Sequence, residues 1–287
     1  MYEAFYGLQE NPFGTTPDPR YLYRSRAHRE ALAYLGYGVF RKKGFLAVTG
    51  EVGIGKTTVL RAFVQTFQPC LDVAFVLNTR VTFQELLYLL LTDFGVEVKN
   101  DSKVAMLAEL NAFLIGRFGA NQNPLLIIDE AQNLSVEVLE ELRMLSNLET
   151  DEQKLIQIVL VGQPELGNVL GREDMRQLRQ RIPGVFHMQY LSDEEVAHYV
   201  AFRLGVAAGE GAHGVDFAEG ALAAIGHLSG GIPRLINLIC DRVLMRGYLA
   251  RAHRINAKLV EASVRELSDY FVGDGNARRT GTGGGAF

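Results

Sequence analysis

The sequence predicts an α/β domain built as three αβα layers around a parallel sheet, followed by a small all-helical domain. Three observations carry that prediction. Short, largely apolar runs at 45–48, 73–77, 125–128 and 155–161 alternate with helical patterns, and strands that are apolar on both faces belong to parallel sheets covered by crossover helices. The first run leads directly into Gly50-x-x-x-x-Gly55-Lys56-Thr57 and then a helix, which is the order of a phosphate-binding loop. After residue 191 the remaining periodic segments are all helical.

At 287 residues, 48% of them hydrophobic, the chain can bury a full core divided between a larger and a smaller unit. A net charge of -4 gives no overall basic footprint, so tight non-specific nucleic-acid binding is not implied, although local basic patches remain possible partners for it. The opening residues, Met1 to Leu8, lack the basic and apolar regions of a signal peptide. The most apolar stretch, 86–91, is far shorter than a membrane span. A cytoplasmic location is expected, with any inner-membrane attachment made through a partner. Cys70 and Cys240 have no neighbouring Cys or His at metal-ligand spacing, so neither a disulfide framework nor a zinc site is expected.

Residues 1–24 read as an ordered aromatic and proline-rich arm, with Phe5, Tyr6, Asn11-Pro12-Phe13 and Pro17-Asp18-Pro19-Arg20-Tyr21. Two roles fit its rings: packing, which the residue types favour, or closing an adenine pocket on the main domain. The predicted nucleotide-binding domain spans 25–190. Its first helix begins near Ser25, a suitable N-cap, and the basic Arg41-Lys42-Lys43 precede the first strand. In the loop that follows, glycines let backbone N–H groups and a helix N-terminus converge on one anion. The expected contacts are Gly50, Glu51, Val52, Gly53, Ile54, Gly55, Lys56, Thr57 and Thr58. Lys56 is placed to reach the β- and γ-phosphates and Thr57 to hold Mg²⁺.

Beyond the second strand, Thr82 and Glu85 read as a capping box and Val81 with Leu86 as a hydrophobic staple. A helix at about 102–118 leads to the third strand, which ends in Asp129-Glu130. Asp129 is the expected Mg²⁺ residue, and Glu130 the group that orients and deprotonates the attacking water. After a helix at 135–148, the fourth strand ends in Gln163. Parallel strands present functional groups at their C-terminal ends, so its amide belongs near the γ-phosphate. Arg172, Arg176, Arg179 and Arg181 follow, a set that reads equally as a solvated face or as anion contacts, and then a short strand at 185–190.

The helical domain is expected over 191–271. Ser192 and Glu195 form its opening capping box, with Leu191 and Val196 as the staple. Further helices are predicted at 216–227, 232–250 and 256–270. The third helix of the domain opens with Pro233-Arg234. A cation is disfavoured at a helix N-terminus unless an anion compensates it, which singles out Arg234 as a phosphate contact. The Gly-rich tail, 272–287, is expected to be disordered.

The Walker A loop, a Walker B strand ending in Asp129-Glu130, a polar residue after the next strand, an arginine before the last strand and Gly231-Ile232-Pro233-Arg234 together resemble the AAA+ ATPases over about 25–270. The resemblance implies the P-loop AAA+ fold, ATP and Mg²⁺ as ligands, and hydrolysis to ADP and phosphate. It makes Gln163 sensor 1, where Asn or Thr is commoner, and Arg234 sensor 2. It makes Arg181 the arginine finger, with Arg179 in reserve. Such a finger acts on a neighbour's ATP, so a ring or filament of this chain is also implied.

A narrower resemblance rests on Phe5-Tyr6-Gly7-Leu8, Asn11-Pro12-Phe13 and Thr16-Pro17-Asp18-Pro19-Arg20, together with the run from Thr49 to Thr58 and the run from Val161 to Leu166. These are similar to the general secretion pathway protein A (ExeA) group, including ATPases associated with exosortase, PEP-CTERM and exopolysaccharide systems. Members of the ExeA type continue into a membrane span and a peptidoglycan-binding module. Neither is seen in this sequence, so a short cytoplasmic member acting on a membrane or envelope complex is expected. The same branch resembles the transposition selectors TnsC and TniB, which makes a DNA-associated regulator the alternative and a slow nucleotide-gated scaffold the third reading. Candidate DNA contacts are Arg41-Lys42-Lys43, Arg251 with Arg254, and Arg278-Arg279. They stand against an acidic background that includes Glu137, Glu140, Glu141, Glu149, Asp151 and Glu152, so DNA is the less favoured partner.

Overall fold

The computed structural model describes residues 1–272 apart from 15, 17, 78, 121 and 152, and describes side chains for these except at 19 and 266–272. The rest of the expected tail, with Arg278 and Arg279, and Glu152 of the acidic background lie outside the described residues. Contacts divide the chain into two units, Pro17–Gln189 on the one hand and Met1–Thr16 with the chain from Tyr190 onward on the other.

The chain opens with α1 (Tyr2–Tyr6), which belongs to the second unit, and then enters the first through α2 (Arg26–Phe40). Ser25 caps α2 as expected, its Oγ accepting the His28 N–H. There follow β1 (Phe45–Thr49), α3 (Lys56–Phe67), β2 (Leu71–Val76), α4 (Phe83–Asp93) and α5 (Lys103–Gly119). The unit is completed by β3 (Asn123–Ile128), α6 (Val136–Leu145), β4 (Gln157–Gly162), α7 (Pro164–Gly171), α8 (Arg176–Arg179) and β5 (Val185–His187). The Thr82–Glu85 capping box is present at α4.

All five strands run parallel, in the order β2-β3-β4-β1-β5. Every residue of β1 and β4 is buried, because helices cover both faces. Alternate residues therefore feed two cores. Phe45, Ala47, Leu126, Ile128, Ile158 and Leu160 meet the leucines of α4, α5 and α6 on one face. Leu46, Val48, Leu125, Ile127, Val159 and Val161 meet Leu35, Val39, Val59, Leu60 and Phe63 on the other. Each such Leu, Ile, Val or Phe side chain contributes about 1.5–3 kcal/mol relative to exposure, so the sheet is a firm platform for whatever stands at the strand tips. Parallel pairing brings those tips to one edge, with Thr49 opposite Gly162 of β4 and His187 of β5.

The second unit holds α9 (Asp193–Ala208), β6 (Asp216–Phe217), α10 (Glu219–Ser229), α11 (Pro233–Leu249), β7 (Arg254–Ile255) and α12 (Ala257–Val272). The Ser192–Glu195 capping box is present at α9. Two expectations are corrected here. The unit is not all-helical: β6 and β7 pair in parallel, and two-residue strands are too short to leave a readable alternation.

The second correction concerns the arm, which does not end as one piece at residue 24. Its first sixteen residues pack with the helical unit. Tyr2 Oη donates to Asp241 Oδ1 at 2.6 Å and Tyr6 Oη to the Ala252 carbonyl at 3.0 Å. Phe5 stacks on His253 with ring centroids 4.4 Å apart. The buried Arg203 donates to the carbonyls of Pro12 and Gly14. Packing is thus the role taken by this part of the arm, as burial of ring faces with satisfied hydroxyls requires.

Candidate functional site

The tip of β1 continues into the loop 50–55 and then α3. Gly53 and Gly55 adopt positive φ values of 79° and 102°, a region that glycine enters without steric cost. A Cβ at Gly55 would also stand 2.9 Å from His28 Nε2, so the loop passes directly over the imidazole. His28 itself is buried and its Nδ1 lies 2.8 Å from the Tyr23 carbonyl. Ile54 anchors the loop in the core below, whereas Glu51, Val52 and Thr58 are partly or fully exposed. The first helical bond of α3 runs from the Val59 N–H to the Gly55 carbonyl, and the leading N–H groups of a helix lie outside its ladder, aimed at an anion.

Lys56 is the first residue of α3 and is buried. Its Nζ donates to the carbonyls of Gly50 at 2.8 Å and Glu51 at 3.0 Å. Loss of solvent lowers its pKa below the ordinary lysine value, and the negative fields of Glu130, Asp129, Glu51 and Glu165 oppose that shift. Thr57 Oγ1 donates to Asp129 Oδ2 at 2.7 Å, which ties the loop to the tip of β3. The hydroxyl and the carboxylate are the hard oxygen donors that Mg²⁺ takes beside phosphate oxygens and water. The residues present therefore fit a nucleotide-borne Mg²⁺. No group of three or more His, Cys, Asp or Glu that would hold an ion is found among the described residues.

Glu130 turns the chain sharply after β3, with φ at 54°, a left-handed conformation uncommon outside glycine. Its N–H donates to Asp129 Oδ1 at 2.9 Å, and its carbonyl accepts from Thr79 Oγ1 at 3.1 Å. Its Oε2 accepts from Gln132 Nε2 at 2.6 Å and from Gln163 Nε2 at 3.1 Å. Gln163 stands just past β4, as the N-cap of α7. The tips of β1, β3 and β4 thus bring Lys56, Thr57, Asp129, Glu130 and Gln163 into one cluster, as the alternating pattern predicts.

Arg181 and Arg179 do not join that cluster. Arg181 follows α8 and donates to Ser146 Oγ at 3.2 Å. With Arg143, Arg176, Gln177 and Gln180 it lines a cavity of about 520 Å³. Arg179 donates to the Gly171 carbonyl at 2.9 Å. Arg234 lies exposed in the first turn of α11, where no acidic residue accompanies it, and it belongs to the other unit. Sequence reasoning missed His28, Thr79 and Gln132. Only Gln132 left a signal, an amide two residues beyond the acidic pair.

Residues 40–170 match the family model described as an AAA domain. The chain is 45% identical over 269 residues to general secretion pathway protein A of Aeromonas hydrophila, a match covering 93% of this chain and 49% of that protein. The chain therefore spans about half the length of that relative. Among solved structures it is similar to Cdc6p from Pyrobaculum aerophilum, with a TM-score of 0.68 and 19% identity over 89% of this chain and 70% of that one. It is also similar to the RuvB Holliday junction branch migration motor of Thermotoga maritima, with a TM-score of 0.57 and 18% identity over 84% of this chain and 68% of that one. At these identities the two likenesses concern the fold alone.

Proposed function

We propose a function from one premise: the chain is an AAA+ protein that belongs with the general secretion pathway protein A-like group. It binds ATP with Mg²⁺ and hydrolyses it, and the nucleotide cycle drives or regulates assembly of a secretion, envelope or exopolysaccharide complex. The observation that carries the catalytic part is the Thr57–Asp129 bond at 2.7 Å with Glu130 fixed beside it. The relative's name is the support for the coupled process. No helix among the described residues is long and apolar enough to cross a membrane.

Loop N–H groups and the α3 N-terminus take the phosphates. Lys56 turns its ammonium from the Gly50 and Glu51 carbonyls to the β- and γ-phosphate oxygens, exchanging two neutral acceptors for charged ones. Thr57 and Asp129 hold Mg²⁺, which when bound neutralises charge on the transferred phosphoryl group. Glu130 takes the proton of the attacking water while Gln163 helps position that water. Arg234 acts as sensor 2. Arg181 reaches the nucleotide of a neighbouring subunit, so the active form is a ring or filament.

The experiment is ATP binding and phosphate release by wild type and Lys56→Ala, with and without duplex DNA. The expected result is Mg²⁺-dependent turnover lost in Lys56→Ala together with binding, and duplex affinity that stays weak at physiological salt. Submicromolar, ATP-dependent duplex binding that weakens when Arg41, Lys42 and Lys43 become Ala would replace the secretion reading with the DNA-associated one.

A further inference from the structure

Gln132 lies in the short turn Ala131–Asn133 that follows Glu130. Its side chain is held at both ends. The Gln163 backbone N–H donates to Gln132 Oε1 at 3.1 Å. A backbone N–H only donates, so the amide oxygen must face it, and the amide nitrogen must face the other way. There Nε2 meets Glu130 Oε2 at 2.6 Å. The same Glu130 oxygen accepts Gln163 Nε2 at 3.1 Å, so Glu130, Gln132 and Gln163 form a closed three-residue ring of hydrogen bonds.

The strand tip is built to admit this amide. A Cβ at Gly162 would fall 2.5 Å from Gln132 Oε1, inside any real contact. Gly162 also accepts the Gly50 N–H at 3.2 Å, so the glycine that makes room for Gln132 also borders the phosphate loop.

We infer that Gln132 is a positioning residue for hydrolysis: it clamps the Glu130 carboxylate and the Gln163 amide in one fixed relation, without itself touching nucleotide or water. The inference rests on the hydrolytic reading given above. A base held within a fraction of an ångström of its productive place is effective, and one free to rotate is not. Loss of Gln132 therefore leaves ATP binding in place and slows the chemical step. Gln132→Ala removes both bonds. Gln132→Glu keeps the acceptor for the Gln163 N–H but replaces the donor with an oxygen facing Glu130, which repels it.

The test measures kcat and KM for ATP in wild type, Gln132→Ala, Gln132→Glu, Glu130→Gln and the double variant Glu130→Gln/Gln132→Ala. Expected is a kcat about tenfold or more lower in both single Gln132 variants with KM within about threefold, a split that general loosening of the fold would not produce. In the Glu130→Gln background Gln132→Ala should change the residual rate less than about twofold, because its effect runs through the missing carboxylate. Where Gln132→Ala fails to fold, the nearly isosteric Gln132→Glu gives the same reading. Wild-type kcat in the Gln132 variants, or losses that multiply in the double variant, would overturn the inference while leaving the hydrolytic reading intact. A Glu130→Gln protein that hydrolyses ATP at the full rate removes both.

Discussion

Lys56, proposed above as a phosphate contact, is buried at a cost to the nucleotide-free protein. Its ammonium is buried against two backbone carbonyls, and desolvation lowers its pKa. The sign of the linkage follows. With the folded pKa below the unfolded one, the unfolded chain binds more protons between the two values. Stability of the empty protein therefore rises as pH climbs through that window, and the burial penalty is fully present below it. Lys56→Met keeps the stem and discards the charge. It should raise the melting temperature of the nucleotide-free protein at neutral pH while abolishing the further rise expected of the wild type with ATP and Mg²⁺. Thermal melts with and without nucleotide check both halves, and a variant that melts below the wild type would refute the linkage. The candidate-site residues most legible in the sequence were those defined by chemistry at fixed spacing, Lys56, Thr57, Asp129 and Glu130. Gln132 and Thr79 were not read as site residues, because, unlike Thr57 inside its spaced motif and Gln163 directly after its strand, they take their meaning from what they face.

At the scale of elements, the long helices and buried strands were readable because their periods of 3.6 and their apolar runs report burial directly. Capping boxes at Thr82 and Ser192 fixed two helix starts to the residue. The destination of α1 was not readable, because aromatic residues announce burial without naming the surface they cover. That surface is in part α11: a Cβ on Gly247 would lie 2.4 Å from Tyr6 Oη and 2.9 Å from Ile255 Cδ1. Gly247→Ala should therefore overpack this contact, at about 1–3 kcal/mol, and loosen α1 from its seat. Hydrogen exchange should rise over 2–8 while the strands of the first unit keep their protection. Unchanged exchange at Tyr6 and its neighbours would show that α1 is not held there.

For the whole molecule, Arg181 sits outside the cluster formed by Lys56, Asp129 and Glu130 and bonds instead to Ser146, which suits a residue used by a neighbour. Mixing Arg181→Ala with Glu130→Gln subunits should then restore part of the lost turnover, since some mixed interfaces pair an intact Glu130 with an intact Arg181. Flat activity across mixing ratios, in oligomers shown to be mixed, would assign Arg181 to its own subunit. In the proposed cycle Glu130 performs hydrolysis at a site that binds ATP without it. ATP binding and turnover measured side by side in wild type and Glu130→Gln test it most directly. Near-normal binding with turnover lower by about 10² or more is expected of Glu130→Gln, as loss of a general base gives; turnover at the wild-type rate would rule out this role for Glu130.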